Sequence, residues 1–404
     1  MPGPLEGFKV VDLSAVVSGP LTATLLADQG AEVIKVERTT SGDIQRNVGS
    51  MRNGFSGFFH VLNRGKRSIA LDLTTTEGRD IVRRLTRDAD VVVQNFRPGV
   101  VKRLGVDYEA LSADNPGLVY LSISGFGQTG PRAGDRAYDP IIQAYSGITD
   151  IQGSIHREHA DRPEQVNMLL LDKLTAWTGC QAVTSALLAR SRSGKGQLVE
   201  LSMLDTAISF VWSDVAADQI LQPDAEAGDI DTRPPIRASG TMQTYSDGHG
   251  FTMTLTQNEF DGMCRAYGLD HIADDPRFSS LAARMKNRAH LRELIASEMD
   301  VVALELTVAQ AEERLLSHDV PFARVRTLRE LPDDEQVRHN EMFRELKHPV
   351  AGRLRDARTA PRFTGTPAQP GAPAPTVGQH TREILSEIGM AQETDELLKR
   401  GIVS

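Results

Sequence analysis

Asp172 is the central candidate for nucleophilic chemistry in this sequence. It follows the apolar run at residues 168–171 (MLLL), predicted as a buried strand, and precedes a predicted helix rich in small residues. An aspartate at a helix start is most often an N-cap that accepts hydrogen bonds from free N–H groups. A carboxylate held rigidly there and shielded from water also has what a covalent nucleophile needs. The residues alone leave both interpretations open.

Arginines recur where predicted strands end, at the edge where open α/β sheets bind ligands. They are Arg38, Arg97, Arg103 and Arg136. Guanidinium groups bind phosphates with bidentate geometry, and the flat ring of Phe96 beside them could stack on an adenine. Each arginine alone is compatible with a solvated surface charge. Their recurrence at strand ends favours a phosphate-binding site.

Other common site types find little support in the sequence. The first strand–turn–helix unit resembles a dinucleotide-binding unit, but its turn at residues 14–20 (SAVVSGP) lacks the glycines that admit a pyrophosphate. The G-x-G-x-x-G match at 125–130 is followed by residues 131–134 (PRAG) and not by a helix, which disfavours nicotinamide chemistry. The sequence has no H-E-x-x-H or G-x-S-x-G motif, and its two cysteines, Cys180 and Cys264, are far apart. Metal, hydrolase and disulfide interpretations are therefore weak.

The elements that must position these residues follow an α/β pattern. Strand-like runs alternate with helix-like runs in the first 125 residues. The strand-like runs are 8–13, 32–36, 67–73, 91–93 and 118–124, and the helix-like runs include 20–29 and 76–89. Such alternation implies right-handed βαβ units and a parallel sheet covered on both faces. The predicted fold class is therefore α/β.

A second region has a different organisation. Residues 204–221 are predicted as one long helix, and the acidic, Pro-rich stretch at 222–240 indicates a linker or an exposed loop. Two strand-like runs, 241–245 and 251–255, predict a hairpin, and helical segments follow it. Together these elements indicate a small α+β domain. A tail rich in Pro and Gly then precedes a final helix near 381–388.

Composition limits the class of protein. The chain has 404 residues, 40% hydrophobic and 25% charged, which is typical of a globular protein with one large and one smaller domain. A net charge of −9 argues against a nucleic-acid partner. The first residues lack signal-peptide features and no run of about 18 apolar residues occurs, so we expect no membrane partner and a cytoplasmic location. Two lone thiols fit a reducing compartment.

Many short segments, taken together and in order, form a specific pattern. They are 5–7 (LEG), 11–14 (VDLS), 19–20 (GP), 26–28 (LAD), 30–37 (GAEVIKVE), 63–68 (NRGKRS), 71–73 (LDL), 90–99 (DVVVQNFRPG), 122–127 (SISGFG), 143–147 (QAYSG), 194–197 (GKGQ) and 202–205 (SMLD). This pattern resembles the class III CoA-transferases, also called the carnitine–CoA-transferase-like or formyl-CoA-transferase family. The resemblance covers nearly the whole chain.

The resemblance implies an architecture. It consists of a Rossmann-like large domain built from both chain termini, a small α+β domain, and an interlocked homodimer in which each chain threads through the other. The implied limits are 1–203 for the N-terminal part of the large domain, 204–235 for a linker helix and loop, 236–325 for the small domain, and 326–404 for the return to the large domain.

The same resemblance implies the site residues. Asp172 matches the family's aspartate nucleophile, and Asp139 matches an acidic residue near the catalytic centre. The positions that match coenzyme A contacts are Val16, Arg38, Leu71, Asn95, Phe96, Arg97, Arg103 and Arg136, together with Tyr138 beside Asp139. The implied partners are an acyl-CoA and a free carboxylic acid. Coenzyme A is then a substrate, with no prosthetic group and no metal.

A few positions depart from particular members of the family. Val17 stands where formyl-CoA-transferases have glutamine, and residues 238–243 (ASGTMQ) contain one glycine where some members have a glycine-rich lid. Both differences disfavour formyl transfer. Tyr138 stands where 2-methylacyl-CoA racemases have a histidine base, and a tyrosine with a pKa of about 10 is a poor base at neutral pH. Racemisation is therefore a disfavoured alternative. The retained aspartate and arginines disfavour a non-catalytic CoA-binding protein.

Overall fold

The computed structural model describes residues 3–153, 162–224, 226–230, 240–368 and 371–404, with the backbone alone for 215–218. The chain divides into two compact units. The first comprises Met1–Trp212 and His339–Ser404, and the second comprises Ser213–Arg338. The first unit therefore contains segments from both ends of the chain. The predicted domain limits and the interlocked dimer stay predictions.

A six-stranded, fully parallel sheet forms the centre of the first unit. Its strands are β1 (Lys9–Asp12), β2 (Glu32–Glu37), β3 (Lys66–Ala70), β4 (Val91–Gln94), β5 (Val119–Ser124) and β6 (Gln197–Ser202). Their order across the sheet is β3-β2-β1-β4-β5-β6. This is the order of doubly wound, dinucleotide-binding-like sheets. The predicted α/β class is confirmed.

Helices cover the sheet on both faces. The helices in the first part of the chain are α1 (Ser18–Ala27), α2 (Gly57–Asn63), α3 (Thr76–Arg87), α4 (Val100–Leu104), α5 (Tyr108–Ser112), α6 (Asp139–Tyr145), α7 (Ile148–Gly153), α8 (Leu170–Ser193) and α9 (Met203–Gln219). Of these, α6, α7 and α9 pack with the start of α8 in a separate apolar cluster. Successive strand residues point to opposite faces. Val10 therefore packs in the core formed with α1 and α8, while Val11 packs in the core formed with α3.

Two features near the centre of the chain differ from the predictions. Residues 168–171 do not form a strand, because Leu170 and Leu171 make the first turn of α8. A short apolar run fits a buried helix start as well as a strand, so its composition cannot distinguish them. β6 is an additional strand at the sheet edge, paired with β5 from Val119 and Gln197 onward.

The second unit contains an antiparallel three-stranded sheet with helices. Its strands are β7 (Gly240–Tyr245), β8 (Gly248–Met253) and β9 (Phe322–Arg324), in the order β9-β8-β7. The predicted hairpin is confirmed, with a shorter turn, because Tyr245 pairs with Gly248. The helices are α10 (Gln257–Ala266), α11 (Asp270–Ala273), α12 (Leu281–Lys286), α13 (Arg288–Leu294), α14 (Asp300–Glu305), α15 (Val308–Ser317) and α16 (Glu335–His339), the last reaching into the first unit. Residues 225 and 231–235 of the predicted linker, and residues 236–239 of the predicted small domain, which include the start of the single-glycine stretch, lie outside the described residues.

The end of the chain belongs to the first unit. It contributes the hairpin β10 (Phe343–His348) and β11 (Gly352–Ala357), then α17 (Thr381–Glu387) and α18 (Thr394–Lys399). Apolar residues of α17 and α18 pack in the same core as α3. In the part of the chain that the structure describes, no helix combines the length and apolar character needed to cross a bilayer.

Candidate active site

A pocket opens at the carboxyl edge of the six-stranded sheet, where β1 and β4 are neighbours. The chain leaves these two strands toward opposite sides of the sheet, and open α/β sheets bind ligands at such a point. The residues that line the pocket are Val16, Ser18, Asn95, Phe96, Arg97, Pro98, Ile123, Ser124, Gly125, Ala133, Asp135, Arg136, Ala137, Tyr138, Asp172 and Met203. The lining residues from Val16 to Gly125 lie at or shortly after the ends of β1, β4 and β5, so the parallel sheet brings them together, and the others come from the loop before α6 and from the starts of α8 and α9.

Most of the predicted site residues line this pocket. They are Val16, Asn95, Phe96, Arg97, Arg136, Tyr138 and Asp172. Arg38, Leu71, Arg103 and Asp139 are not among the lining residues. Leu71 is 1% exposed and packs in the core of one sheet face, whereas Arg38 and Arg103 are exposed. The predicted arginine group is thus divided between the pocket and the surrounding surface.

Asp172 lies in the first turn of α8. The N-cap of this helix is Leu169, which makes no side-chain cap hydrogen bond, so the N-cap interpretation of Asp172 is wrong. Asp172 is 9% exposed, and its carboxylate accepts a hydrogen bond from the backbone N–H of Ser18. Burial, and then the neighbouring charge of Asp139, raise the pKa of the Asp172 carboxyl to about 7. This side chain can therefore gain or lose a proton near neutral pH.

Asp139 supports the backbone that carries Asp172. It is the first residue of α6 and is 1% exposed. Its Oδ2 accepts the backbone N–H of Asp172 at 2.9 Å, and its Oδ1 accepts the side-chain amide of Gln143 at 2.5 Å. The same amide donates to the carbonyl of Met168 at 3.0 Å. Asp139 thus satisfies one of the free N–H groups at the start of α8 and ties α6 to the segment before it.

Residues 14–20, which we call the β1 turn, form a second wall of the pocket. Val16 has a φ of 72°, in the left-handed region that β-branched residues rarely adopt. The side chain of Asn95 joins this turn to the loop after β4. Its Oδ1 accepts the N–H of Ala15 at 2.9 Å, and its Nδ2 donates to the Ala15 carbonyl at 2.6 Å. Asn95 therefore fixes two walls of the pocket relative to each other.

The cations of the lining are Arg97 and Arg136, and both are exposed. Guanidinium groups in such positions bind phosphates well. Within the described ranges, no three His, Cys, Asp or Glu side chains come together in a metal-binding group. The arrangement suits an anionic ligand whose reactive end reaches Asp172.

The sequence predictions missed part of the site. Ser18, Ser124 and Met203 line the pocket but were not predicted as site residues, although each lies in a segment noted in the sequence. A signal for the β1 turn was nevertheless present. Asp12 ends β1 directly after two valines, and Lys35 lies between Ile34 and Val36 in β2. Strands covered on both faces accommodate charges when these are paired.

The sequence also matches known proteins along most of its length. Residues 5–381 match the model of CoA-transferase family III. The succinate–glutarate CoA-transferase of Agrobacterium fabrum is 33% identical, and the match covers 97% of this chain and 97% of that protein. The succinyl-CoA–D-citramalate CoA-transferase of Chloroflexus aurantiacus is 34% identical, and the match covers 98% of this chain and 96% of that protein.

The fold has a counterpart among solved structures. A CAIB/BAIF family protein from Brucella suis superimposes with a TM-score of 0.80 at 31% sequence identity, and the match covers 96% of this chain and 100% of that one. The doubly wound sheet, the family match over most of the sequence and the similarity to two CoA-transferases agree with one another. This chain belongs to CoA-transferase family III.

Proposed function

We propose that this enzyme transfers coenzyme A from an acyl-CoA to a free carboxylic acid through covalent intermediates on Asp172. The observation that carries the proposal is a buried carboxylate that lines the pocket and receives the Ser18 N–H. Membership of the CoA-transferase family supports the reaction class. A rigid carboxylate shielded from water supports the choice of nucleophile.

In the first half-reaction, the ionised Asp172 carboxylate attacks the carbonyl carbon of the donor thioester. The C–S bond breaks, coenzyme A leaves as the thiolate, and the acyl group is joined to Asp172 as a mixed anhydride. The thiolate then attacks the Asp172 carbonyl carbon. The donor acid leaves, and an aspartyl-CoA thioester remains. Because the anhydride is readily hydrolysed, the low exposure of Asp172, 9%, favours transfer over hydrolysis.

The second half-reaction repeats these steps in reverse order. The acceptor carboxylate attacks the aspartyl-CoA thioester, releasing the thiolate and forming a second anhydride. The thiolate attacks the acceptor acyl carbon, which gives the new acyl-CoA and regenerates the Asp172 carboxylate. One oxygen atom thus passes from the acceptor acid to Asp172, and in a later turnover from Asp172 to a donor acid.

Residues around Asp172 have supporting roles in this proposal. The Ser18 N–H, which binds the carboxylate in the free enzyme, can stabilise the negative charge that develops when the thiolate attacks the Asp172 carbonyl. Asp139 holds the Asp172 backbone through a 2.9 Å hydrogen bond. It acts as a positioning residue rather than as a proton donor to substrate.

Coenzyme A is proposed to bind along the arginine-bearing edge of the sheet. Arg97 and Arg136 would hold its phosphates at the pocket. Val16, Asn95, Phe96 and Tyr138 would line the path of its pantetheine arm, since these residues surround the approach to Asp172. Arg38 and Arg103 lie outside the pocket lining and are exposed, and we propose them as contacts for the outer part of the molecule, whereas the buried Leu71 side chain is not available for such a contact.

Dicarboxylic acids and their CoA thioesters are the first substrates to test. Both of the relatives described above are named for succinate or succinyl-CoA. We propose succinyl-CoA as a donor on this similarity. The acceptor acid is to be identified by assay.

Oxygen-18 in the acceptor carboxylate tests the covalent mechanism. Transfer through Asp172 predicts that the label enters Asp172 first and appears in the released donor acid only after further turnovers. Label in the donor acid without any label in Asp172 would contradict the proposal, because the acceptor would then attack the donor directly. Exchange of the α-hydrogen without transfer would instead favour racemisation.

We also propose a homodimer, as the family resemblance implies. Large apolar side chains on α8 and α9 are strongly exposed in the single chain, and they are the kind of surface that a second copy covers. They are Trp177 (45%), Ile208 (44%), Phe210 (46%) and Trp212 (43%). Light scattering of the purified protein tests this proposal, and a monomeric mass at micromolar concentration would contradict it.

A further inference from the structure

A cluster of buried charged side chains lies beneath the β1 turn. Asp12 and Lys35 are 0% exposed, Lys66 is 3% exposed and Asp43 is 5% exposed. Lys66 Nζ lies 2.8 Å from Asp12 Oδ2, and Lys35 Nζ lies 3.1 Å from Asp43 Oδ2. Lys35 Nζ also lies 3.8 Å from Asp12 Oδ2, which joins the two pairs. Two cations and two carboxylates thus form one buried group, which we call the turn cluster.

Stability alone is a weak explanation for the turn cluster. Burying paired ions costs their hydration, and apolar side chains of similar volume are often as stabilising or more so. The cluster is better understood from the backbone groups that it holds. Four of these groups belong to the β1 turn, and the cluster also binds the Leu62 carbonyl and the Gln45 N–H.

Three members of the turn cluster hold the two ends of the β1 turn. At its start, Asp12 Oδ1 accepts the N–H of Ser14 at 3.0 Å, and Lys35 Nζ donates to the Ser14 carbonyl at 3.0 Å. At its end, Lys66 Nζ donates to the Pro20 carbonyl at 2.8 Å. Buried hydrogen bonds of charged groups resist exchange with water, so both ends of the turn are fixed.

Asp43 holds the middle of the β1 turn. Its Oδ1 accepts the N–H of Val16 at 3.3 Å, while its Oδ2 faces the Lys35 ammonium. Val16 is the residue with a φ of 72°. The left-handed conformation is strained for a residue with a side chain, and it persists where the surroundings enforce it. Asp43 and Lys35 supply part of that enforcement.

The conformation of Val16 affects Asp172 through Ser18, which lies two residues later in the chain. Ser18 begins α1 directly after the strained segment, and its N–H binds the Asp172 carboxylate. The direction of this N–H depends on the backbone torsions of Val17, with φ −126° and ψ −64°, and of Val16 before it. If Val16 relaxes to an ordinary conformation, the start of α1 turns and the hydrogen bond to Asp172 is lost.

We infer that Asp43 and Lys35 are positioning residues for CoA transfer, because their ion pair holds Val16 in the left-handed conformation that points the Ser18 N–H at Asp172. This inference rests on the proposed function, since the Ser18 hydrogen bond matters to the reaction when Asp172 is the nucleophile. Neither residue lines the pocket, so neither is a catalytic residue.

Asp28 provides a matched control at the other end of α1. It is the C-cap residue of that helix and is 1% exposed. Its carboxylate binds Arg64, with 2.6 Å between Asp28 Oδ2 and Arg64 Nη2. Asp28→Asn removes a buried charge from the same helix and leaves every tether of the β1 turn in place. General loss of stability should therefore be similar in the two variants.

Asp43→Asn retains an oxygen for the Val16 N–H but loses the ion pair with Lys35. We expect its kcat to fall about tenfold or more, because small misplacements near a nucleophile are costly, with a smaller change in KM. The pH midpoint of kcat/KM should move upward, because the Ser18 hydrogen bond favours the ionised form of Asp172. Asp139, which faces Asp172 from α6, is unchanged in every variant. Asp28→Asn should match the wild type in both readouts.

Two further measurements distinguish a positioning role of Asp43 from a general effect on folding. The pKa of Asp172 can be measured by following its carboxyl carbon-13 resonance against pH, and the resonance is assigned as the one missing from Asp172→Asn. We expect this pKa to be higher in Asp43→Asn than in the wild type. A glycine at position 16 adopts the left-handed conformation without strain. In a Val16→Gly background, Asp43→Asn should therefore lower kcat by no more than about threefold, a non-additive effect. Should Asp43→Asn not fold, Asp43→Glu keeps the charge and displaces the acceptor from Val16.

The outcomes are distinguishable. A folded Asp43→Asn protein with wild-type kcat and an unshifted Asp172 titration would overturn the inference. Equal losses in Asp43→Asn and Asp28→Asn would overturn it as well, because they would reflect stability alone. A shifted titration, together with a wild-type protein in which acyl-CoA never modifies Asp172, would support the positioning role and contradict the proposed function.

Discussion

Two groups of buried carboxylates in the first unit have opposite electrostatic surroundings. Burial alone would raise the pKa of Asp12, but Lys66 and Lys35 outweigh burial and lower it. Asp172 has a second acid, Asp139, as its charged neighbour, and burial together with that neighbour raises its pKa to about 7. Cations beside one carboxylate make it a permanent support. No cation is among the charges that act on Asp172. Its carboxyl can therefore take part in a reaction near neutral pH.

The largest expected effect on stability comes from removing one cation of the turn cluster. Lys66→Met removes the ammonium that lies 2.8 Å from Asp12 Oδ2 and leaves that carboxylate partly unpaired inside the sheet. We expect the free energy of unfolding to fall by about 3–5 kcal/mol. Urea denaturation at neutral pH measures it. Lys195→Met, at an exposed lysine, is the control, and a similar small loss in both variants would show that the pairing is unimportant.

A smaller effect should appear when the reactive carboxylate is removed. Because folding raises the pKa of Asp172 from 3.8 to about 7, the folded protein keeps a proton that the unfolded chain releases between these values. The wild type therefore loses stability as pH rises through this window. Relative to wild type, Asp172→Asn should gain about 2 kcal/mol in free energy of unfolding between pH 5 and pH 8.

Urea denaturation at the two pH values measures this difference. Asp114→Asn, at an exposed aspartate, serves as the control and should show no comparable change. An equal stability difference between Asp172→Asn and wild type at both pH values would mean that Asp172 has an ordinary pKa.

Removing the like charge beside Asp172 should shift the pH dependence of the reaction. In Asp139→Asn the amide oxygen can still accept the Asp172 N–H, but the neighbouring charge that raises the Asp172 pKa is gone. The midpoint of the rise in kcat/KM, expected near pH 7 in the wild type, should move down by about one unit. A midpoint that stays or moves upward would show that Asp139 does not act through its charge.

The smallest effect is expected at the exposed edge of the pocket. Arg136→Ala should raise KM for acyl-CoA by about three- to tenfold, with kcat nearly unchanged, because a surface phosphate contact contributes equally to ground state and transition state. The difference should shrink at high salt. Arg353→Ala, at an exposed arginine of β11, should have no effect. A fall in kcat at constant KM would place Arg136 in the chemical step instead.

The parallel sheet could be predicted from the sequence because its signals are local. Strand-like and helix-like runs alternate in the first part of the chain, and Val10 and Val11 pack on opposite faces of the sheet. The start of α8 could not be predicted in the same way. Leu171 is fully buried against Ile142 and Met203. A helix start that is buried in this way has the same apolar composition as a buried strand.

The candidate site shows a similar division. The position of Asp172 and the arginines at strand ends were visible because they follow recognisable segments. The partners of Asp172 were not, because Ser18 and Asp139 reach it from distant parts of the chain. The left-handed Val16 was also unpredictable, since nothing local favours it. It depends on Asp43, whose carboxylate approaches from another loop.

Mass spectrometry of the protein after brief incubation with succinyl-CoA and other acyl-CoAs decides whether Asp172 is the nucleophile. Hydroxylamine or borohydride traps the anhydride and thioester intermediates as stable products. We predict that the peptide containing Asp172 is modified in the wild type and unmodified in Asp172→Asn, which should still bind coenzyme A. CoA transfer that proceeds with no modification at Asp172, or with modification of another residue, would contradict the proposed mechanism.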